Sequence, residues 1–217
     1  SSLCDGDSVI TPIALDDEAL RRRLAIPGPQ NYIAPIWRNA DGEEYWRSSG
    51  DFVNHIPAPR AKALIPPDVW DGYRKITIWR NPFDVAISRY FWVGGTATGM
   101  HFDEFVDRHR SFLHDNARIA PLTGEAALDS YLRYECLADD MESLQVPGLK
   151  ELFQALNAKS NIRPKWGTSV TETYSMFPAA AEIIAEECKE EIAFFGYQNP
   201  LSHSPPQAAQ TKDKIHV

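Results

Sequence analysis

The sequence is short of cysteine, of long apolar runs and of basic residues, and each shortage narrows what the chain can be. Cys4, Cys136 and Cys188 are an odd number without the close spacing of a zinc site, so neither a disulfide framework nor a structural metal is expected and the thiols read as free and buried. No stretch approaches the ~20 apolar residues that a membrane-spanning helix needs. A soluble, cytoplasmic chain is therefore expected. There is no signal-like apolar region, and residue 1 is a serine rather than a methionine; this reads as a chain from which a segment has been removed, or as a fragment, with an upstream anchor or signal left open. The net charge of −8 argues against a general nucleic-acid binder, which needs a basic face to displace counterions from phosphates. Any site for a polyanion must then be local. His101, His109 and His114 lack the i, i+3 or i+4 spacing that sets two imidazoles on one helical face, and no metal is expected.

What is there suits one well-cored α/β domain, since 217 residues with 43% hydrophobic content are ample for one domain and short for two. The domain is read over residues 1–198 and a disordered tail over 199–217, where Pro, Ser, Gln and Lys accumulate. After a turn-rich entry, Asp16, Asp17 and Glu18 precede Arg21, Arg22 and Arg23, the charge order of a short helix whose arginines form a solvated face. Pro27-Gly28-Pro29 stops it. Residues 30–47 carry Tyr32, Trp37, Tyr45 and Trp46 among turn formers, and a hairpin around residues 40–43 is expected. Those aromatics could line a substrate pocket or form a satellite core under a long loop.

The clearest signal is RKITIWRNPFDVAISRYFW, residues 74–92. Ile76, Thr77, Ile78 and Trp79 predict a strand buried on both faces of a parallel sheet. Asn81 can cap, and Pro82 can open, a helix whose Phe83, Ile87 and Tyr90 face the core. Helical side chains lean toward the N-terminus, so the Ser88 hydroxyl leans toward the strand end that carries Arg80. A guanidinium, helix N–H groups and a hydroxyl around one crevice would suit a phosphate. From the residues alone the plainer alternative, a surface arginine before a capped helix, stays open. Residues 128–134 predict a second core strand. Beyond it come a short helix over 147–156, a basic loop with Lys159, Arg163 and Lys165, a capping box at Ser169 and Glu172, and one last helix over 178–195. That helix presents Ile184, Cys188, Ile192 and Phe195 on one stripe and ends at Gly196.

Arg80-Asn81-Pro82-Phe83-Asp84 with Ser88 and Tyr90 resembles the RNPxDxxxSxY signature of sulfotransferases that use 3′-phosphoadenosine 5′-phosphosulfate (PAPS). The segments at residues 7–13, 28–32, 54–58 and 80–84 stand in the order seen in the bacterial-type members. The likeness spans roughly residues 5–198. It implies a three-layer α/β/α sandwich with a central parallel sheet, like that of P-loop nucleoside triphosphate hydrolases. It also implies that Arg80 and Ser88 hold the 3′-phosphate, that Tyr134, in a run similar to YExLxxD, packs near the adenine, and that Arg163 and Lys165 close the phosphate site, although their spacing is not the family's Arg-Lys-Gly. Asn54-His55-Ile56-Pro57 is similar to the family's His-Leu-Pro run at the family's spacing ahead of Arg80, which makes His55 the general base; a lone histidine read without the resemblance is as readily structural. The implied donor is PAPS, the product 3′,5′-adenosine bisphosphate, and the acceptor a hydroxyl or amine of a carbohydrate or small molecule. No Lys-Thr/Ser-rich P-loop occurs in these residues; in the family it falls just before the position where this chain begins, so the sequence reads as lacking the N-terminal strand and loop. A non-catalytic nucleotide-binding or anion-binding domain, or a nucleotide kinase-like enzyme of the same fold, are the competing readings.

Overall fold

The computed structural model describes residues 6, 8–13, 15–33, 36–38, 44–47, 52–95, 97–154 and 169–202. Two compact units emerge, residues 1–74 with 119–127 and residues 75–118 with 128–217.

In the first unit, helix α1 (Leu15–Arg23) has its acidic residues in the first turn and its arginines in the last, as the macrodipole favours. Arg21 is not merely solvated. Its Nη1 donates to the Thr11 carbonyl and to Glu18 Oε1, each at 3.1 Å, and Glu18 also accepts the Ile13 N–H at 2.9 Å. The helix ends before Pro27, because the Ile26 N–H reaches the Arg21 carbonyl and the Ala25 N–H the Arg22 carbonyl. This is a Schellman stop with Ala25, at φ 52°, in the left-handed position usually given to glycine. The first two motif segments are tied together: Ile10 and Gln30 exchange backbone hydrogen bonds, Gln30 Nε2 donates to the Ser8 carbonyl at 2.9 Å, and Asn31 Nδ2 donates to the carbonyls of Gly6 and Ser8. Strands β1 (Ile36–Arg38) and β2 (Glu44–Arg47) pair antiparallel with Trp37 opposite Trp46, which flanks the expected hairpin turn; the turn itself lies outside the described residues. Helices α2 (Ala58–Leu64) and α3 (Pro67–Gly72) follow, each opened by a proline in its first turn.

The second unit is built on strand β3 (Ile76–Trp79), helix α4 (Pro82–Trp92), helix α5 (Phe102–Arg108), a 3-10 turn at Arg110–His114 and helix α6 (Asp115–Ile119) up to Arg118. Strand β4 (Ser130–Arg133) and helices α7 (Leu137–Ser143), α8 (Leu149–Gln154), α9 (Val170–Met176), α10 (Pro178–Glu187) and α11 (Lys189–Phe195) complete it. β3 and β4 run parallel, with Ile76 opposite Ser130 and Trp79 opposite Arg133. Mixed helix and strand around a small parallel sheet is thus the architecture of this unit. β4 is shorter than residues 128–134 because the Leu128 N–H turns to the Tyr131 hydroxyl at 2.7 Å and Tyr134 already begins a 3-10 turn.

Side chains alternate across a strand. One sheet face carries Trp79 and Tyr131, packed by Phe195 and Phe194 of α11; the other carries Leu132, clustered with Leu137, Met141 and Leu144. The expectation that β3 is buried on both faces fails. Ile76 and Ile78 are 40% and 42% exposed, whereas on the same face Leu132 of β4 is buried against α7. The larger core lies among the helices, where Phe83, Ile87, Val106, Tyr174 and Ile184 are almost fully buried and Tyr174 donates its hydroxyl to the Phe83 carbonyl at 2.7 Å.

Two further expectations change. The last helix bends at Cys188 (φ −109°, ψ 25°) into α10 and α11, although the i→i−4 bonds Cys188 to Ile184 and Ile192 to Cys188 continue through it. Burial pushes the Cys188 thiol up to about 12, and Cys136 is free and half-buried. Residues 199–202 are not tail: Leu201 packs against the helical core, and its N–H is held by Asn199 Oδ1 at 2.9 Å. Residues 203–217 lie outside the described residues. The capping box is complete, with Ser169 Oγ accepting from the Glu172 N–H and Glu172 Oε2 from the Ser169 N–H.

Candidate functional site

Because Trp79 pairs with Arg133 in a parallel ladder, Arg80 and Tyr134 leave the sheet side by side at the C-terminal ends of β3 and β4. That is where open α/β sheets place ligands. Asn81 caps α4 as expected, its Oδ1 accepting the Phe83 N–H at 3.0 Å, and Pro82 fills the first turn. The α4 stripe then carries Asp84 and Ser88 back toward Arg80. Arg80 Nε donates to Asp84 Oδ2 at 2.5 Å, Nη2 meets the same oxygen, and Nη1 donates to Ser88 Oγ at 3.3 Å. The guanidinium carbon sits 4.7 Å from the centre of the Tyr134 ring, a cation–π distance. Arg80, Ser88 and Tyr134, three of the residues singled out from the sequence, therefore converge.

The geometry defines how much of Arg80 remains for a ligand. A guanidinium has five N–H groups. Asp84 takes the edge made by Nε and Nη2, and Ser88 takes one proton of Nη1. One proton on each terminal nitrogen has no partner among the described residues. The Ser88 hydroxyl, accepting from Arg80, keeps its own proton to give. Three donors are thus available around a side chain that is 29% exposed, and a tetrahedral oxyanion can use all three where a single point charge would not.

Three features of this site escaped the sequence reading. They are hydrogen bonds between residues distant in sequence or beyond the strand end. Glu135 Oε1 accepts the Asn81 N–H at 2.7 Å, and its Oε2 accepts the Tyr197 hydroxyl at 3.3 Å. Burial, then the neighbouring Glu135 carboxylate, drives the Tyr197 phenol above its ordinary range, so it stays protonated and donates. Beside them Arg133 grips Asp140 through Nε at 3.1 Å and Nη2 at 2.7 Å. Burial would raise the Asp140 carboxyl, but the Arg133 side-chain and backbone hydrogen bonds outweigh it and hold the carboxyl below its ordinary range.

His55 belongs to the first unit. It is exposed and sits third in a turn closed by the Ile56 N–H to the Val53 carbonyl at 3.1 Å, at φ 57°. A non-glycine residue held in the left-handed region carries local strain, a property that clusters at functional sites. Arg163 and Lys165 lie outside the described residues. Among the described residues no group of three or more His, Cys, Asp or Glu is arranged to hold a metal ion, and no helix is long and apolar enough to cross a membrane. Comparison with protein-family models, with curated proteins and with solved structures finds no match.

Proposed function

We propose that the protein is a PAPS-dependent sulfotransferase, acting on a hydroxyl or amine of a carbohydrate or small molecule, with the finer architecture of a three-layer α/β/α sandwich. The observation that carries this reading is the meeting of Arg80 and Ser88 at the end of a parallel strand pair, with two guanidinium N–H groups and a hydroxyl left for one oxyanion. In the reaction the acceptor oxygen or nitrogen attacks sulfur and forms the new bond as the bond from sulfur to the bridging phosphate oxygen breaks. The electron pair of that bond leaves with 3′,5′-adenosine bisphosphate. His55 takes the acceptor proton as general base, while Arg80 and Ser88 hold the 3′-phosphate of the donor. Such a transfer relies on positioning and on cations around the charge that develops.

Tyr134 supports the donor site in a way that differs from the resemblance. Its ring is stacked on Arg80, and with 51% exposure it keeps surface for a neighbouring base. Calorimetric titration tests the reading. The protein should bind 3′,5′-adenosine bisphosphate at least tenfold more tightly than 5′-AMP, because two or more charge-assisted hydrogen bonds of about 1.5–3 kcal/mol each are at stake. Equal affinity for the two nucleotides refutes it. Transfer of label from PAPS to an acceptor separates an enzyme from a domain that only binds.

A further inference from the structure

Glu135 is an exposed carboxylate with both oxygens committed to different elements. Oε1 accepts the backbone N–H of Asn81, the residue after Arg80, and Oε2 accepts the hydroxyl of Tyr197. Glu135 itself follows Tyr134. One side chain thus fastens together the two strand ends whose adjacent residues make the Arg80–Tyr134 contact at 4.7 Å.

Its anchor is itself fixed. Tyr197 follows the Gly196 cap of α11, where φ is 69°, its N–H is bonded to the Ile192 carbonyl at 3.1 Å, and its ring stacks on Phe195 at 5.3 Å. Phe195 in turn packs on Trp79 at 5.2 Å. A continuous set of contacts therefore runs from α11 through Glu135 to the amide beside Arg80. An exposed carboxylate adds little to global stability, because water can replace it. It also carries the wrong charge for an anion site, so its presence beside one calls for another role.

We propose that Glu135 is a positioning residue: by holding the Asn81 amide against the Tyr197 anchor, it sets the direction in which Arg80 presents its remaining N–H groups to an oxyanion. This rests on the nucleotide reading above and adds the residue that supports its phosphate-binding arginine. Charge and clamp make opposite predictions for two variants of equal charge. Glu135→Gln keeps an oxygen for the Asn81 N–H and removes the negative charge. Glu135→Ala removes both.

The test is titration of the wild type, E135Q and E135A with 3′,5′-adenosine bisphosphate and with 5′-AMP, together with hydrogen exchange of the Asn81 amide. The expected result is an E135A variant about tenfold weaker for the bisphosphate, the size of one lost hydrogen bond. Its affinity for 5′-AMP should be unchanged and its Asn81 amide should exchange faster. E135Q should match or exceed the wild type and keep the amide protected. If both variants bind the bisphosphate more tightly, Glu135 acts only through its charge and the proposal is overturned. If both weaken equally, or E135A equals the wild type, it is overturned as well while the nucleotide reading stands. A wild type that does not distinguish the two nucleotides overturns both. Tyr197→Phe, which leaves the Asn81 bond in place but loosens its anchor, gives an independent reading: a smaller loss for the bisphosphate alone is expected, and no loss counts against the proposal.

Discussion

Replacing Arg80 by lysine separates charge from geometry at the strand end. The guanidinium serves Asp84 with one edge and Ser88 with one Nη1 proton, and one proton on each terminal nitrogen is left over for the proposed phosphate. A lysine ammonium has three donors and no fixed fork, so Asp84 and Ser88 leave it at most one proton for the phosphate. One charge-assisted hydrogen bond lost, at about 1.5–3 kcal/mol, lowers affinity for 3′,5′-adenosine bisphosphate by roughly tenfold to a hundredfold. Ser88→Ala removes a donor and its bond to Nη1, and the loss should be smaller, about 0.5–1.5 kcal/mol or roughly twofold to tenfold. The two residues touch each other, so a double-mutant cycle should show coupling of about 0.5 kcal/mol or more. Titration calorimetry of the four proteins at one fixed ionic strength gives all of these quantities, and melting curves confirm that the variants are folded. An Arg80→Lys protein within twofold of the wild type, or additive effects in the cycle, would refute the argument that the guanidinium fork and the hydroxyl act on one anion.

His55→Gly and His55→Ala form a matched pair, because φ 57° suits glycine and strains alanine: both should abolish transfer with bisphosphate affinity nearly unchanged, and H55G should melt at or above H55A, by about 1 kcal/mol in stability. Near-normal turnover in either variant removes His55 as the base. A Cβ on Gly95 would lie 2.3 Å from the Tyr90 ring, which is held by its hydroxyl bond to the Met100 carbonyl and by Phe91, Phe102 and Phe105; Gly95→Ala should therefore destabilise by about 1–3 kcal/mol in denaturant melts. Asp140 is held below its ordinary range, so its contribution to stability is full above the unfolded carboxylate value near ~3.9 and is lost as pH falls through the lower folded value. The melting-temperature gap between the wild type and Asp140→Asn should accordingly close on acidification from pH 6, and a constant gap would contradict the Arg133 pairing.

The helices were legible where the signal is local. Asn81-Pro82 opens α4, Ser169 and Glu172 close a capping box, and Gly196 ends α11 as its left-handed conformation requires. The Arg80–Ser88 meeting was legible too, since it follows from helical spacing and side-chain tilt. Burial was not. Ile76 and Ile78 have the composition of an interior strand, yet their exposure is set by which elements lie over them, and no strand pattern encodes that. The bend at Cys188 was hidden for a related reason: its apolar stripe runs unbroken through the kink. Glu135 and Tyr197 stayed invisible because their partners are distant in sequence, and hydrogen bonds of that kind have no period to detect.

The parallel pairing of β3 with β4 joins residues 76–79 to residues 130–133 across a long intervening chain. Closing such a loop is slow and entropically costly, and a slip of one residue would turn Tyr134 to the opposite face, away from Arg80. The arginine, its aromatic support and the carboxylate clamp therefore come together only when the register is correct. An oxyanion held there would act as a ligand of the folded state. It would add stability as RT ln(1 + [L]/Kd), about 2.7 kcal/mol at a concentration of 100 Kd, and would select this pairing over its neighbours while the chain folds.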